Sequence, residues 1–279
     1  MSQPAQPLTF SAVDGLGFAA ARGLLRAAQD SAPYSPTSLG PLIELLHLAG
    51  CGRLPLPSGG SWFSNNGAGP MIAALTEKRE FWVNPHDRRM GFIRAVRGAP
   101  DGDARLTGFL MDAKRAAANT AQLPGKAPAQ LVAAMAEMES NIHEHSEAPD
   151  TGLLAFRAAP GTFEFVAVDR GIGILKSLRS CDAYMALADH GNALAAALSD
   201  GVSRFGENSR RGHGFRQMFL GLLDLYGSLR FRSGDYALLM DGTSPDLTTA
   251  QLAQKPAIDG FFVSVRCGVG DSRETSSHA

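Results

Sequence analysis

Apolar positions in the second half of the chain recur with two distinct periods. Over Ala129–His145 they fall at Leu131, Met135, Met138 and Ile142, in steps of four, three and four, which predicts an amphipathic helix ended by Pro149. Gly152–Ala158 and Thr162–Val168 alternate or run apolar around Pro160-Gly161, the pattern of a β-hairpin. Ala183–Ser199 predicts one or two helices and Phe215–Tyr226 another, followed by three strands at Ser228–Arg232, Tyr236–Met240 and Gly260–Arg266. Before Gln122 the pattern is less regular. A short strand is expected over Leu8–Val13, helices over Gly17–Ala28, Leu39–Leu48, Met71–Lys78 and Arg105–Ala118, and an extended stretch over Glu80–Val83. The run LPLPSGGSWFSNNGAGP has the Gly, Pro, Asn and Ser content of a loop.

These patterns divide the chain at Leu123–Pro128, a Pro- and Gly-bearing joint. Residues 1–122 form an N-terminal α/β region that carries no signature, 126–268 a second unit, and 269–279 a polar tail whose composition predicts disorder. No internal repeat is visible.

Composition narrows the function classes. Hydrophobic residues make up 44% and charged residues 19%, as in ordinary soluble proteins. Lys and Arg (26) nearly balance Asp and Glu (27), so no overall field recruits nucleic acid or an acidic membrane. Cys51, Cys181 and Cys267 are far apart, which argues against a disulfide framework or a zinc site. The N-terminus lacks the basic start and apolar run of a signal peptide, and apolar runs stop short of a membrane span. A cytoplasmic protein is the expectation.

Three short motifs carry candidate chemistry. Glu137, Asn141 and His145 are spaced four apart on the predicted helix and share the face opposite its apolar stripe. A carboxylate and a carboxamide there suit a Mg²⁺-bound triphosphate, since an amide oxygen can ligate the hard cation and a carboxylate can orient or deprotonate a nucleophile. Asp169-Arg-Gly171-Ile-Gly173 follows the apolar strand FEFVAV. An Asp at a strand end can accept a hydrogen bond from an adenine amine, and glycines let the backbone approach the base. Gly212-His-Gly214 follows Arg210 and Arg211 and precedes a predicted helix, an arrangement that offers N–H groups and charge to phosphate. Each motif also admits a plainer reading: a solvated helix face, a strand-ending turn, a loop entering a helix.

Taken in order, with gaps of 28 residues from Asn141 to Asp169 and 43 from Asp169 to Gly212, the motifs resemble the N box and the two glycine boxes of the GHKL superfamily. This superfamily comprises gyrase, histidine kinases, MutL and the anti-sigma-factor serine kinases. EMESNIHEHS is similar to its Glu-x-x-x-Asn-x-x-x-His helix, and Ala193–Gly214 to the lid of stand-alone anti-sigma-type members. The resemblance implies a two-layer α/β sandwich with a mixed, largely antiparallel sheet, holding ATP and Mg²⁺ under a lid over Leu175–Arg211. It implies Asn141 as the Mg²⁺ ligand and Glu137 as the general base. Asp169 would hold adenine with Gly171 and Gly173 beside the base, Gly212, His213 and Gly214 would lie against the phosphates, and Asn208 and Arg211 would belong to the lid. One departure is visible: where many members have Thr after Gly on a late strand, this chain has Gly260-Phe261-Phe262, with Ser264 nearby.

The resemblance therefore implies a regulatory protein kinase or ATPase whose γ-phosphate goes to a Ser or Thr of a partner such as a STAS-type protein. The alternatives are an ATP-gated module that forms a homodimer, as in gyrase and MutL, a histidine-kinase relative, and a protein that holds ATP without turnover. His143 and His145 are two apart on a helix and so diverge by about 200°, which rules out joint metal ligation there. His47 lacks the neighbours of a phospho-accepting histidine and reads as a buried or capping residue.

Overall fold

The structure is a computed structural model that describes residues 5–25, 34–55, 63, 67–95, 104–198, 227–241 and 250–269. Two minimal strands, β1 (Gln6–Pro7) and β2 (Tyr34–Ser35), pair in parallel. They bracket α1 (Phe10–Ala21), and α2 (Leu39–Gly50) and α3 (Gly69–Thr76) follow. Next come β3 (Phe81–Val83), β4 (Met90–Arg94), α4 (Ala104–Asn119) and α5 (Ala127–His145). The remainder is β5 (Leu153–Ala159), β6 (Thr162–Asp169), α6 (Gly173–Arg179), α7 (His190–Ala197), β7 (Ser228–Asp241) and β8 (Gln251–Gly268). No described helix is long and apolar enough to cross a membrane.

The main sheet has the order β3-β4-β5-β6-β8-β7, and every pairing in it is antiparallel. The mixed sheet expected from the resemblance is therefore not found in this sheet; among the described residues parallel pairing is confined to β1–β2 and an isolated Tyr34–Phe63 bridge. Helices of the N-terminal region, whose type the sequence left open, add a third layer to the two expected of 126–268. Leu154, Phe156, Phe165, Ala167 and Val263 face a core with residues of α4, α5, α6 and α7, whereas Leu153, Ala155, Val166, Val168 and Phe262 face a core with residues of α1, α2 and α3. The apolar run FEFVAV explains this, because a strand apolar on both faces needs cover on both. Strands β3 and β4 join β5 through Phe92↔Ala155 and neighbouring pairs, so stretches 1–122 and 126–268 share one sheet. The Leu123–Pro128 joint connects α4 to α5, whose apolar faces meet in the first core.

Local chemistry sets most element ends. Thr9 turns Leu8–Val13 into the start of a helix rather than the expected strand: its Oγ1 accepts from the Ala12 N–H at 3.2 Å. Asp189 caps α7 in the same way at Asn192 N–H, 2.8 Å. The start of α2 is held from a distance, where Glu164 of β6 accepts from Leu39 N–H (2.5 Å) and Ser38 Oγ (3.0 Å). The helix expected at Ala183–Ser199 is shorter, α7 alone, after a 3-10 turn at Asp182–Tyr184. Two of the three late strands expected are one: β7 runs through Ser233-Gly234 on a bulge, because β8 continues alongside it with extra residues at Asp259-Gly260. Phe215–Tyr226, and the tail from 270 onward, lie outside the described residues.

The α1–α2 face carries a buried charge network. Glu44 of α2, fully buried, meets both Arg230 (Nε, 2.8 Å) and Arg232 of β7. Arg230 also donates to Asp14 of α1 at 2.5 Å, and Lys255 of β8 reaches Asp14 at 2.8 Å. Pairing of this kind fixes how α1 and α2 sit on the sheet, since removing one member leaves an uncompensated buried charge.

Candidate functional site

Asp169 is the last residue of β6 and only 1% exposed. It sits an even number of residues from Phe163, Phe165 and Ala167, so its side chain faces the same layer as α5. Its Oδ1 accepts from the Gly171 N–H at 2.7 Å, and the Phe261 backbone N–H also donates to the carboxylate. Its Oδ2 has no hydrogen-bond partner among the described residues. Burial dominates over these two donors and pushes the carboxyl up to about 7.

The surroundings of Asp169 are built from three elements. The loop after it folds under the end of α5, with Ile172 N–H donating to the Ser146 carbonyl at 2.9 Å. A Cβ on Gly171 would overlap that carbonyl, so the glycine is required by the chain's own approach. Gly173 opens α6 with φ +71°, and a Cβ there would lie 2.8 Å from Ser233 Oγ and 2.9 Å from the Gly260 carbonyl. Gly260, at φ +70°, packs directly on Asp169. The space beside both motif glycines is thus filled by protein, and their contribution is to hold the Asp169 cradle in shape.

Ser233 was not legible as a site residue. Its hydroxyl donates to the Gly260 carbonyl (2.9 Å) and accepts from Ile174 N–H (3.0 Å), tying β7, β8 and the start of α6 together beside Asp169. Ser264, the hydroxyl noted near Gly260-Phe261-Phe262, pairs with Val166 and faces α2 on the opposite side of the sheet. The strand register explains the difference: Phe261, not Ser264, stands opposite Asp169. A late-strand hydroxyl in contact with the cradle exists, but β7 supplies it.

A second clamp comes from α2. Arg170, between Asp169 and Gly171, donates to the Gly50 carbonyl at 2.5 Å. His47 Nε2 lies 3.0 Å from the Asp259 carbonyl, next to Gly260. Burial holds His47 down to about 4, so its ring is neutral at physiological pH.

Helix α5 carries Glu137, exposed, and Asn141 and His145, both half-buried. The His145 end abuts the Asp169 loop, and Asn141 stands one turn, about 6 Å, back along the axis. His143 pairs with Glu139 along the helix at 2.8 Å. Among the described residues no group of three or more His, Cys, Asp or Glu side chains could hold a metal by itself. A cation here would rely on the Asn141 amide oxygen, phosphate and water, a donor set that suits Mg²⁺. Asn208, Arg211, Gly212, His213 and Gly214 lie outside the described residues, as does the lid beyond Leu198. The structure thus gathers Asp169, Gly171 and Gly173 at the end of α5, with Asn141 on that helix and Glu137 further out on its exposed face. No family model, curated protein or solved structure matches the chain.

Proposed function

We propose that the chain binds ATP with Mg²⁺ and acts as a regulatory kinase or ATPase on a partner protein. The observation that carries this reading is the Asp169 carboxylate. It is buried at a strand end, two backbone N–H groups turn it in place, and one oxygen is left as an unpaired acceptor. An adenine exocyclic amine supplies the missing donor. Guanine, with a carbonyl at the equivalent ring position, does not.

The order of the three motifs along the chain supports the same reading. Asn141 would contribute an amide oxygen to Mg²⁺, which neutralises charge on the triphosphate when bound. Glu137, exposed on α5, is accessible to an incoming hydroxyl and would orient it or take its proton. The acceptor in this reading is a Ser or Thr of a partner such as a STAS-type protein.

Calorimetric titration with Mg²⁺-ATP tests the pocket. Asp169→Asn replaces an acceptor by a donor and should weaken binding by about tenfold to a hundredfold, the range for a hydrogen bond to a charged group. Equal affinity in the two proteins rules out Asp169 as the base-reading group. Transfer of labelled phosphate to a STAS-type partner, lost in Glu137→Ala, tests the kinase assignment separately.

A further inference from the structure

A cavity of about 700 Å³ opens on the α1–α2 side of the sheet, between the N-terminal ends of α1 and α2 and the strands β7 and β8. Its volume falls within the range of small-molecule sites, about 300–1,000 Å³. Among the described residues two charged side chains line it, Arg230 and Arg266, and no carboxylate does.

Behind the lining, among the described residues, the three cations Arg230, Arg232 and Lys255 share two carboxylates, Asp14 and Glu44. Arg230 lies 4.7 Å from the centre of the Phe10 ring at the cavity wall. Arg266 is half-exposed, and its Nε stands 3.8 Å from Glu164, beyond hydrogen-bond range. Glu164 is already committed to Ser38 and Leu39 at the start of α2.

A buried hydroxyl completes the polar end. Ser264 lines the cavity and is only 7% exposed, so its hydroxyl stands at the wall where it can donate to a ligand acceptor. The remaining wall mixes the apolar Leu8, Pro41 and Leu239 with the polar Thr9, Thr37, Ser38 and Gln251.

We propose that this cavity binds a small organic anion, its carboxylate or phosphate head against Arg266 and Ser264 and its apolar body along Leu8, Pro41 and Leu239. The proposal is independent of the nucleotide reading, because Ser264 and Asp169 face opposite layers of the sheet.

The test titrates the full chain calorimetrically with octanoate, octyl phosphate, octanol and inorganic phosphate. Octanoate or octyl phosphate should bind at least tenfold more tightly than octanol and inorganic phosphate, and the tighter of the two identifies the head group. Arg266→Glu, at a half-exposed position, should weaken that binding at least tenfold, and Ser264→Ala several-fold. Arg266→Gln serves if the charge reversal impairs folding. Asp169→Asn should leave anion affinity unchanged. Octanol binding as tightly as octanoate, unchanged affinity in both Arg266 variants, or no binding by any probe overturns the proposal.

Discussion

Asp169→Asn should make the protein more stable at alkaline pH while weakening the proposed binding of ATP. An unfolded Asp ionises near 3.8, whereas burial moves this carboxyl to about 7 in the folded state. Between those values the folded chain holds a proton that the unfolded chain has released, so stability falls as pH rises and levels off above about 7. The deficit of the ionised folded state approaches about 4 kcal/mol at pH 8, is about 3 at pH 6 and under about 2 at pH 5, at about 1.4 kcal/mol per decade. Asn keeps a carbonyl oxygen for the Gly171 and Phe261 N–H groups and cannot ionise, so the variant escapes this deficit. For a chain of 279 residues, the gain at pH 8 corresponds to about 7 °C in melting temperature, from about 2.1 cal/mol/K of unfolding entropy per residue. Melting curves of both proteins from pH 5 to 8, without nucleotide, measure it. The difference should grow steadily with pH. A constant difference, or a less stable variant at pH 8, refutes the view of Asp169 as a strained acceptor kept for a ligand.

Three further expectations follow from the geometry. Gly171→Ala drives a Cβ into the Ser146 carbonyl and should cost about 3 kcal/mol by overpacking, read from urea denaturation; a neutral variant would mean that the loop has another conformation. Glu44→Gln leaves Arg230 and Arg232 short of a counter-charge and should destabilise by about 3–5 kcal/mol in the same assay, whereas a loss below about 1 kcal/mol would remove Glu44 as the anchor of α2. His47, held near 4 against about 6.5 unfolded, contributes stability that is complete above about 6.5 and lost as pH falls toward 4. His47→Asn should therefore flatten the acid limb of the wild-type stability curve, and an unchanged limb would assign that limb to other groups.

Local pattern alone determined several elements. The steps Leu131, Met135, Met138, Ile142 predicted α5, and the structure buries all four. The apolar runs around Pro160-Gly161 predicted the β5–β6 hairpin, whose residues pair from Leu153↔Val168 to Ala159↔Thr162. Leu39–Leu48 and Arg105–Ala118 also lie within helices. Such features depend on periods of two or 3.6 residues and on nearby turn chemistry, so a window of a dozen residues contains them. Asp169 stood out for the same reason, as an acidic residue at the end of an apolar strand.

Tertiary structure decided the rest. No local period reveals that β4 pairs with β5, that α1–α3 cover the second face, or that β7 continues through a bulge at Gly234. Ser233 reaches the Asp169 cradle across 64 residues of chain, and Glu44 meets Arg230 across 186. Pairings of that kind follow from strand register and from compensation of buried charge, which depend on which surfaces the whole chain brings together. The sequence therefore marked where a carboxylate would stand, while packing determined that it is buried, raised in pKa and left with one oxygen to share.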